Sequence, residues 1–320
     1  MGITEDYLGE PVGEPGFVCG EKRREGEVLV RRMGEWDLER ILRLRTVVRW
    51  SADPDAFGLL RGMRDARWAV ADAGGYEGEI VGMVGPVPLG QVGILCHLAV
   101  HDSYRRTGVG ARLTSWAVSY LRSRGVGVVR LDSTEAAERL YTGMGFEPVL
   151  RRTVYRMEEA TTAARGAREG GGYRVSTLTI GDLPEVYGLD RWSFGGDRSA
   201  LILAAIRLHP GRGLVARDGS GRIKGYLVRS VCGGKTLIGP LLAEGDEAMR
   251  ALLTAALEAI GESGGGAVEI TCARPHGEPE HLLLRESGFE PRPDRLRMEL
   301  GAAPESRGVL QYGTTPYLAT

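Results

Sequence analysis

Paired cysteines are missing from this chain of 320 residues. Its four cysteines, Cys19, Cys96, Cys232 and Cys272, lie far apart and form no C-x-x-C, which excludes a zinc ribbon and a small disulfide framework. An imbalance of charge is missing too. The 41 Lys and Arg against 42 Asp and Glu leave a net charge of −1, too weak a field to gather nucleic acid. No apolar run approaches the roughly 18 residues of a membrane span, and the first residues lack the basic-then-apolar order of a secretory signal. The expectation is a protein of the reducing cytoplasm, with no nucleic-acid, membrane or metal partner. The clusters Lys22-Arg23-Arg24 and Arg151-Arg152 read as solvated surface.

What is present points to two domains, because a single core rarely serves 320 residues. Residues 1–27 carry many Gly, Glu and Pro without periodicity and read as an N-terminal extension. From Val28 to Met157 the pattern is regular. A strand at 28–31 leads to a helix carrying Leu38, Ile41 and Leu42, then a helix at 54–63, and strands at 68–72, 80–87 and 92–100. A helix from Gly110, a strand at 126–132, a helix at 135–144 ended by Gly145, and a strand at 147–157 follow. Residues 158–172 read as a linker. The same order returns over 173–301, with Gly145-Phe146-Glu147-Pro148 echoed by Gly288-Phe289-Glu290-Pro291. The tail 302–320 carries no pattern.

Chemistry concentrates between the long strand and the helix from Gly110. A loop that leaves a strand and opens a helix aims backbone N–H groups at the positive helix end, which suits a pyrophosphate. Gly108 and Gly110 remove the Cβ atoms that would hold a ligand off the backbone, and Arg105 and Arg106 add charge-assisted donors. Two other phosphate motifs fail on spacing. A dinucleotide fingerprint needs a third glycine where Leu113 stands, and its glycines directly after the strand, whereas His101 to Thr107 intervene. A P-loop needs Gly-Lys-Ser/Thr, which the loop lacks.

With their surroundings these residues resemble the GNAT superfamily of N-acetyltransferases. Leu98-Ala99-Val100 leading to Arg105-x-x-Gly108-x-Gly110 is similar to its motif Q/R-x-x-G-x-G/A, and Ala137-x-x-Leu140-Tyr141-x-x-x-Gly145-Phe146 to its next helix. The resemblance implies an α/β (α+β) protein of two GNAT-like domains, each a mixed, mostly antiparallel twisted sheet flanked by helices. It implies acetyl-CoA as co-substrate. The backbone of Leu98, Ala99 and Val100 would bond the pantetheine arm, and Arg105, Arg106, Thr107, Gly108, Val109, Gly110 and Ala111 would cradle the pyrophosphate. Tyr141 takes the place of the general acid toward the departing thiolate, the other reading being a packed core aromatic. Thr134 stands where many relatives have Asn; it is placed with the cofactor-binding residues, its pantetheine contact weakened by the change, and its hydroxyl is suited to capping the following helix. For the base, His97 faces the acceptor groove if Leu98 packs inward; Asp132, Glu135 and a water chain are rivals, and a purely structural histidine is the plain alternative.

The second unit departs from that pattern. Ile238-Gly239-Pro240-Leu241-Leu242-Ala243-Glu244-Gly245-Asp246 replaces the cradle; proline removes a donor, and Glu244 and Asp246 repel a diphosphate. It resembles a degenerate carboxy-terminal GNAT-like domain through Asp190-x-x-x-Phe194-Gly195-x-Asp197-Arg198, Gly225-Tyr226 and Ile238-Gly239-Pro240. Asp190, Asp197 and Arg198 are candidates for binding the acceptor or shaping the groove between halves, or for a structural ion-pair set. The expected activity is acetyl transfer to the primary amine of a small molecule. A non-catalytic acyl-CoA sensor and a protein N-terminal or lysine acetyltransferase are the alternatives, and a homodimer is compatible with the sequence.

Overall fold

The computed structural model describes residues 28–50, 67–74, 78–160, 172–232, 234–272, 279–293, 295–302 and 310–313. The extension 1–27, the helix expected over 54–63 and all but the ends of the linker over 158–172 lie outside the described residues. The first unit runs β1 (Leu29–Arg32), α1 (Leu38–Val47), β2 (Ala69–Asp72), β3 (Ile80–Leu89), β4 (Val92–Val100), α2 (Val109–Ser123), β5 (Val128–Ser133), α3 (Glu135–Thr142) and β6 (Glu147–Met157). The second runs β7 (Arg174–Thr177), α4 (Leu183–Phe194), α5 (Ser199–Leu208), β8 (Gly213–Arg217), β9 (Ile223–Cys232) and β10 (Lys235–Ala243). It continues through α6 (Asp246–Glu262), β11 (Val268–Cys272), α7 (Pro279–Glu286), β12 (Glu290–Pro291) and β13 (Arg295–Leu300) to β14 (Leu310–Gly313).

Helical spacing of apolar residues explains which faces are buried. In α2, Val109, Leu113, Ala117 and Leu121 recur every fourth residue and all are buried; in α6, Met249, Leu253, Leu257 and Ile260 recur at steps of four, four and three and are buried as well. One twisted sheet passes through both units in the order β1-β2-β3-β4-β5-β13-β6-β11-β10-β9-β8-β7. Among the described residues only β4 with β5 and β10 with β11 pair in parallel; the other pairs are antiparallel. On one face α1, α4 and α5 share a single apolar cluster joining Ile41 and Leu44 to Val186, Phe194, Leu201 and Ile202. On the other face each unit has its own cluster, Leu113 with Tyr141 and Phe146 in the first and Leu253 with Leu284 and Phe289 in the second.

The periodicity of the sequence closes each unit with its own last strand, but the structure exchanges those strands. Strand β13 of the second unit lies against β5 of the first, and β6 of the first lies against β11 of the second. Charge fixes this register. Arg130 stands opposite Glu299 and Asp132 opposite Arg297 across β5 and β13, with Arg130 Nε to Glu299 Oε1 at 2.5 Å and Arg297 Nε to Asp132 Oδ1 at 2.7 Å. Opposite charges directly across a ladder stabilise it, and a one-residue slip would set every pair against the wrong face.

Because each unit holds a strand of the other, urea is expected to unfold both in a single transition. Far-UV circular dichroism and tryptophan fluorescence should then trace coincident curves; two separated transitions would show units that fold independently of the exchange.

Candidate active site

Strands β4 and β5 pair only at Val92–Val128, Gly93–Val129 and Ile94–Arg130. Beyond Ile94 they part: β5 is paired with β13 along its other edge from Val129 to Ser133, while β4 stays bonded to β3 as far as Val100. From Leu95 to Val100 the side of β4 turned toward β5 therefore has no strand against it among the described residues. Leu98, Ala99 and Val100 lie on this open stretch. At its end a short helical turn, Asp102–Tyr104, leads through the exposed Arg105, Arg106 and Thr107 to Gly108, which caps α2 in the left-handed region at φ 87°.

The first amides of a helix have no intrahelical acceptor, and here the first bond in register runs from Arg112 N–H to the Gly108 carbonyl. The amides of Val109, Gly110 and Ala111 thus crown an open helix end with no acidic residue in the first turn of α2. A Cβ built on Gly108 meets nothing within 4 Å, whereas one on Gly110 would approach Leu140 Cδ2 to 3.4 Å. Gly108 gives room on the solvent side; Gly110 lets α3 close on α2. The loop is set by Thr107 Oγ1 donating to Tyr104 O at 2.7 Å and by Arg105 pairing with Asp102 at 2.8 Å. Beside Gly108 the approach to this helix end is clear, as the sequence demands of a pyrophosphate cradle.

Tyr141 is 5% exposed, edge-on to Phe146 with ring centroids 5.7 Å apart. It belongs to the same apolar cluster as Leu95 and Leu131, the first residues of β4 and β5 past the point of divergence. Burial pushes its phenol well above the ordinary tyrosine range, which keeps the group protonated as a donor. Thr134 occupies the N-cap position of α3 in an extended conformation, but its side chain makes no capping bond. The hydroxyl cap expected from the sequence is thus not formed; the Thr134 carbonyl instead accepts from Ala137 N–H at 2.9 Å.

His97 is 5% exposed and lies in the left-handed region at φ 53°, an uncommon conformation for a residue with a Cβ. It sits close to the bulge where β4 slips against β3, between the pairs Gly85–Cys96 and Met83–Ala99. The ring lies 5.4 Å from Trp68 and 6.1 Å from Trp50 by centroid, and its Nδ1 lies 3.1 Å from Arg45 Nη1. A guanidinium only donates, so Nδ1 accepts and the ring hydrogen of the neutral imidazole is on Nε2. To act as a base His97 would first have to leave Arg45. The wall of Arg45, Trp50 and Trp68 around it was not singled out from the sequence. One signal was there: Arg45 lies four residues after Ile41 on the apolar face of α1, where a charge is out of place.

Asp132 is held by two guanidiniums, Arg297 at 2.7 Å and Arg152. It neither caps α3 nor accepts a substrate proton without stranding two buried cations. Glu135, its rival, is exposed in the first turn of α3. Cys96, buried beside His97, donates to the Gly85 carbonyl at 3.0 Å, and burial drives its thiol far up, so it is not a nucleophile.

In the second unit, Asp190 and Arg198 are each 1% exposed. Arg198 Nη2 bonds Asp190 Oδ1 at 2.6 Å, Tyr226 donates to the same carboxylate, and the Arg198 guanidinium lies 4.3 Å from the Phe194 ring centroid. Arg130 of the first unit donates to Phe194 O at 2.6 Å. Asp190 and Arg198 thus form a buried ion pair joined to the seam between units. Asp197 remains half exposed, accepting from Ser199 N–H at 2.9 Å and Arg191 at 2.7 Å. Its own N–H reaches Leu89 O at 2.8 Å across the units, where a Cβ on Gly196 would lie 2.5 Å from the same carbonyl.

A splayed parallel strand pair, an open glycine-capped helix end and a repeated unit define a tandem acyltransferase. The chain belongs to the GNAT acetyltransferases: the acetyltransferase (GNAT) family model matches residues 36–146 and an acetyltransferase (GNAT) domain model matches 186–313. It is 27% identical over 216 residues, 62% of this chain and 70% of the relative, to a mycothiol acetyltransferase of Clavibacter sepedonicus. A crystal structure of a candidate acetyltransferase from Pyrococcus horikoshii shares the fold at a TM-score of 0.74 and 20% identity, over 94% of this chain and 99% of that one. A tandem GNAT protein from the clavulanic acid biosynthesis pathway does so at 0.60 and 17%, over 87% of this chain and all of its own.

Proposed function

We propose that the first unit takes acetyl-CoA and transfers its acetyl group to the primary amine of a small molecule. The observation that carries this is the stretch Leu95–Val100, whose side toward β5 has no strand against it among the described residues, leading through the Asp102–Tyr104 turn to the open amides at Val109, Gly110 and Ala111. Strand and helix end offer, in sequence, edge groups for an amide-bearing arm and donors for a diphosphate. Leu98, Ala99 and Val100 hold the arm; Arg105 to Ala111 hold the pyrophosphate, with Thr134 at the edge of the same cleft.

The amine nitrogen bonds the acetyl carbon, the carbon–sulfur bond breaks, and Tyr141 protonates the thiolate. With Nδ1 of His97 engaged by Arg45 and Asp132 locked by two arginines, the acceptor amine enters uncharged or loses its proton to water. His97 then lines the acceptor wall as a hydrogen-bond donor. Asp190, Asp197 and Arg198 shape the wall between the halves. A small acceptor is in keeping with the relative named mycothiol acetyltransferase and with a second unit packed against the Leu89 end of β3.

Calorimetry with acetyl-CoA and thiol release across an amine panel test the reading. Binding without release on any amine would support a sensor, and release only on peptides would support a protein acetyltransferase. Tyr141→Phe is expected to lower kcat about 10²-fold with cofactor affinity unchanged. Because the phenol titrates above its usual ~10, the wild-type rate should show no alkaline loss from this group up to that pH. An unaltered kcat in Tyr141→Phe would place the ring in the core alone.

A further inference from the structure

The two units repeat the same splay, but among the described residues only the second has a strand laid into it. In the second, β10 pairs with β11 at Thr236–Val268, Leu237–Glu269 and Ile238–Ile270 and then parts from it, as β4 does from β5 after three pairs. Where β4 is left bare, β10 is not. Strand β14 lies antiparallel on it, with Leu241 opposite Gly313, Leu242 opposite Gln311 and Ala243 opposite Leu310, and it lies beside β11 and α4 as well. The other edge of β10 is bonded to β9 over the same residues. Leu241, Leu242 and Ala243 are fully buried, so their edge groups would be costly to leave unpaired.

The helix ends differ in charge as well. The first turn of α6 carries Asp246 and Glu247, while the first turn of α2 carries no acid. An anionic ligand is repelled in one unit and drawn in by the other.

We propose that the cleft of the second unit is a slot for an extended peptide segment, filled in this chain by Leu310–Gly313, and that it is closed to an acyl carrier. Addition of a strand to an exposed sheet edge gives main-chain affinity with little demand on side chains. The peptide slot stands on the pairing alone; the statement that one cofactor binds per chain rests on the function proposed above.

Hydrogen exchange of the full chain tests the slot. Neighbouring residues of a strand point their N–H groups to opposite sides, so Leu310→Pro/Gln311→Pro removes at least one donor aimed at β10. Exchange over Leu241–Ala243 should speed up at least about tenfold in this variant, with far-UV circular dichroism unchanged. A peptide of residues 308–315 should restore slow exchange, and the same peptide carrying both prolines should not. Fast exchange of Leu241–Ala243 in the wild-type chain, an unchanged rate in the folded variant, or no effect of the peptide on a variant that exchanges faster would each overturn the slot. Calorimetry of the wild type should give one coenzyme A per chain. Two would show the second cleft open, and none would sink the acetyl-CoA reading while leaving the exchange result intact.

Discussion

Gly108→Glu is expected to weaken coenzyme A binding by at least about 100-fold, close to 2.7 kcal/mol. Two effects add at this position. Gly108 sits at φ 87°, where a residue with a Cβ costs ~1–2 kcal/mol, and the space beside it is empty within 4 Å, so a new side chain projects into the place a diphosphate would fill. A carboxylate there opposes the ligand's charge at the positive end of α2. Gly108→Ala carries the conformational cost without the charge and should lose far less. Calorimetric titration of both variants, with melting curves to confirm folding, separates the contributions. Affinity within about threefold of wild type in a folded Gly108→Glu protein would move the cofactor away from this loop.

The largest stability effect is expected at Asp132, a residue that from sequence competes for the role of base. Its carboxylate lies between Arg297 and Arg152, and the Arg152 side chain is only 2% exposed. Burial draws the Arg297 guanidinium down to about 10, still charged at neutral pH. Removing the acid leaves the buried Arg152 and the part-buried Arg297 facing each other, and breaking a buried pair from one side costs about 3–5 kcal/mol. Asp132→Ala should therefore lower the urea midpoint by that equivalent across the whole chain, since β5, β13 and β6 join both units. Asp132→Asn keeps the shape and one acceptor but turns an NH2 donor toward a guanidinium, so it too should lower the midpoint. A normal midpoint in Asp132→Ala would show that the carboxylate is not what holds the exchanged strands in register.

The glycine-capped loop that opens α2 was legible because its geometry is local. Gly108, Gly110 and the arginines before them act through backbone geometry and charge within one turn of helix, which adjacent residues fix without help from distant ones. Tyr141 was legible by its offset from Gly145 and Phe146 in one short helix. His97 was found, but its state was not. Arg45 lies 52 positions away, and strand alternation says nothing about a bulge that turns His97 out of register. The same holds for Asp190 and Arg198. Their spacing suggested a cluster, but only packing shows that Tyr226 and Phe194 bury it and that Arg130 of the other unit completes it.

By itself the sequence determined two like units, the strand–loop–helix order in each, and a first loop fit for a diphosphate where the second is not. Periodicity, glycine placement and charge are properties of short stretches, and they fix short-range structure. The tertiary structure alone decided which strands neighbour one another. The exchange of β6 and β13, the seam of Arg130, Asp132, Glu299 and Arg297, and the seating of Leu310–Gly313 on β10 all join residues far apart in the chain. Alternation records which face a strand buries but not whose edge it meets, because edge groups pair through a backbone common to every residue.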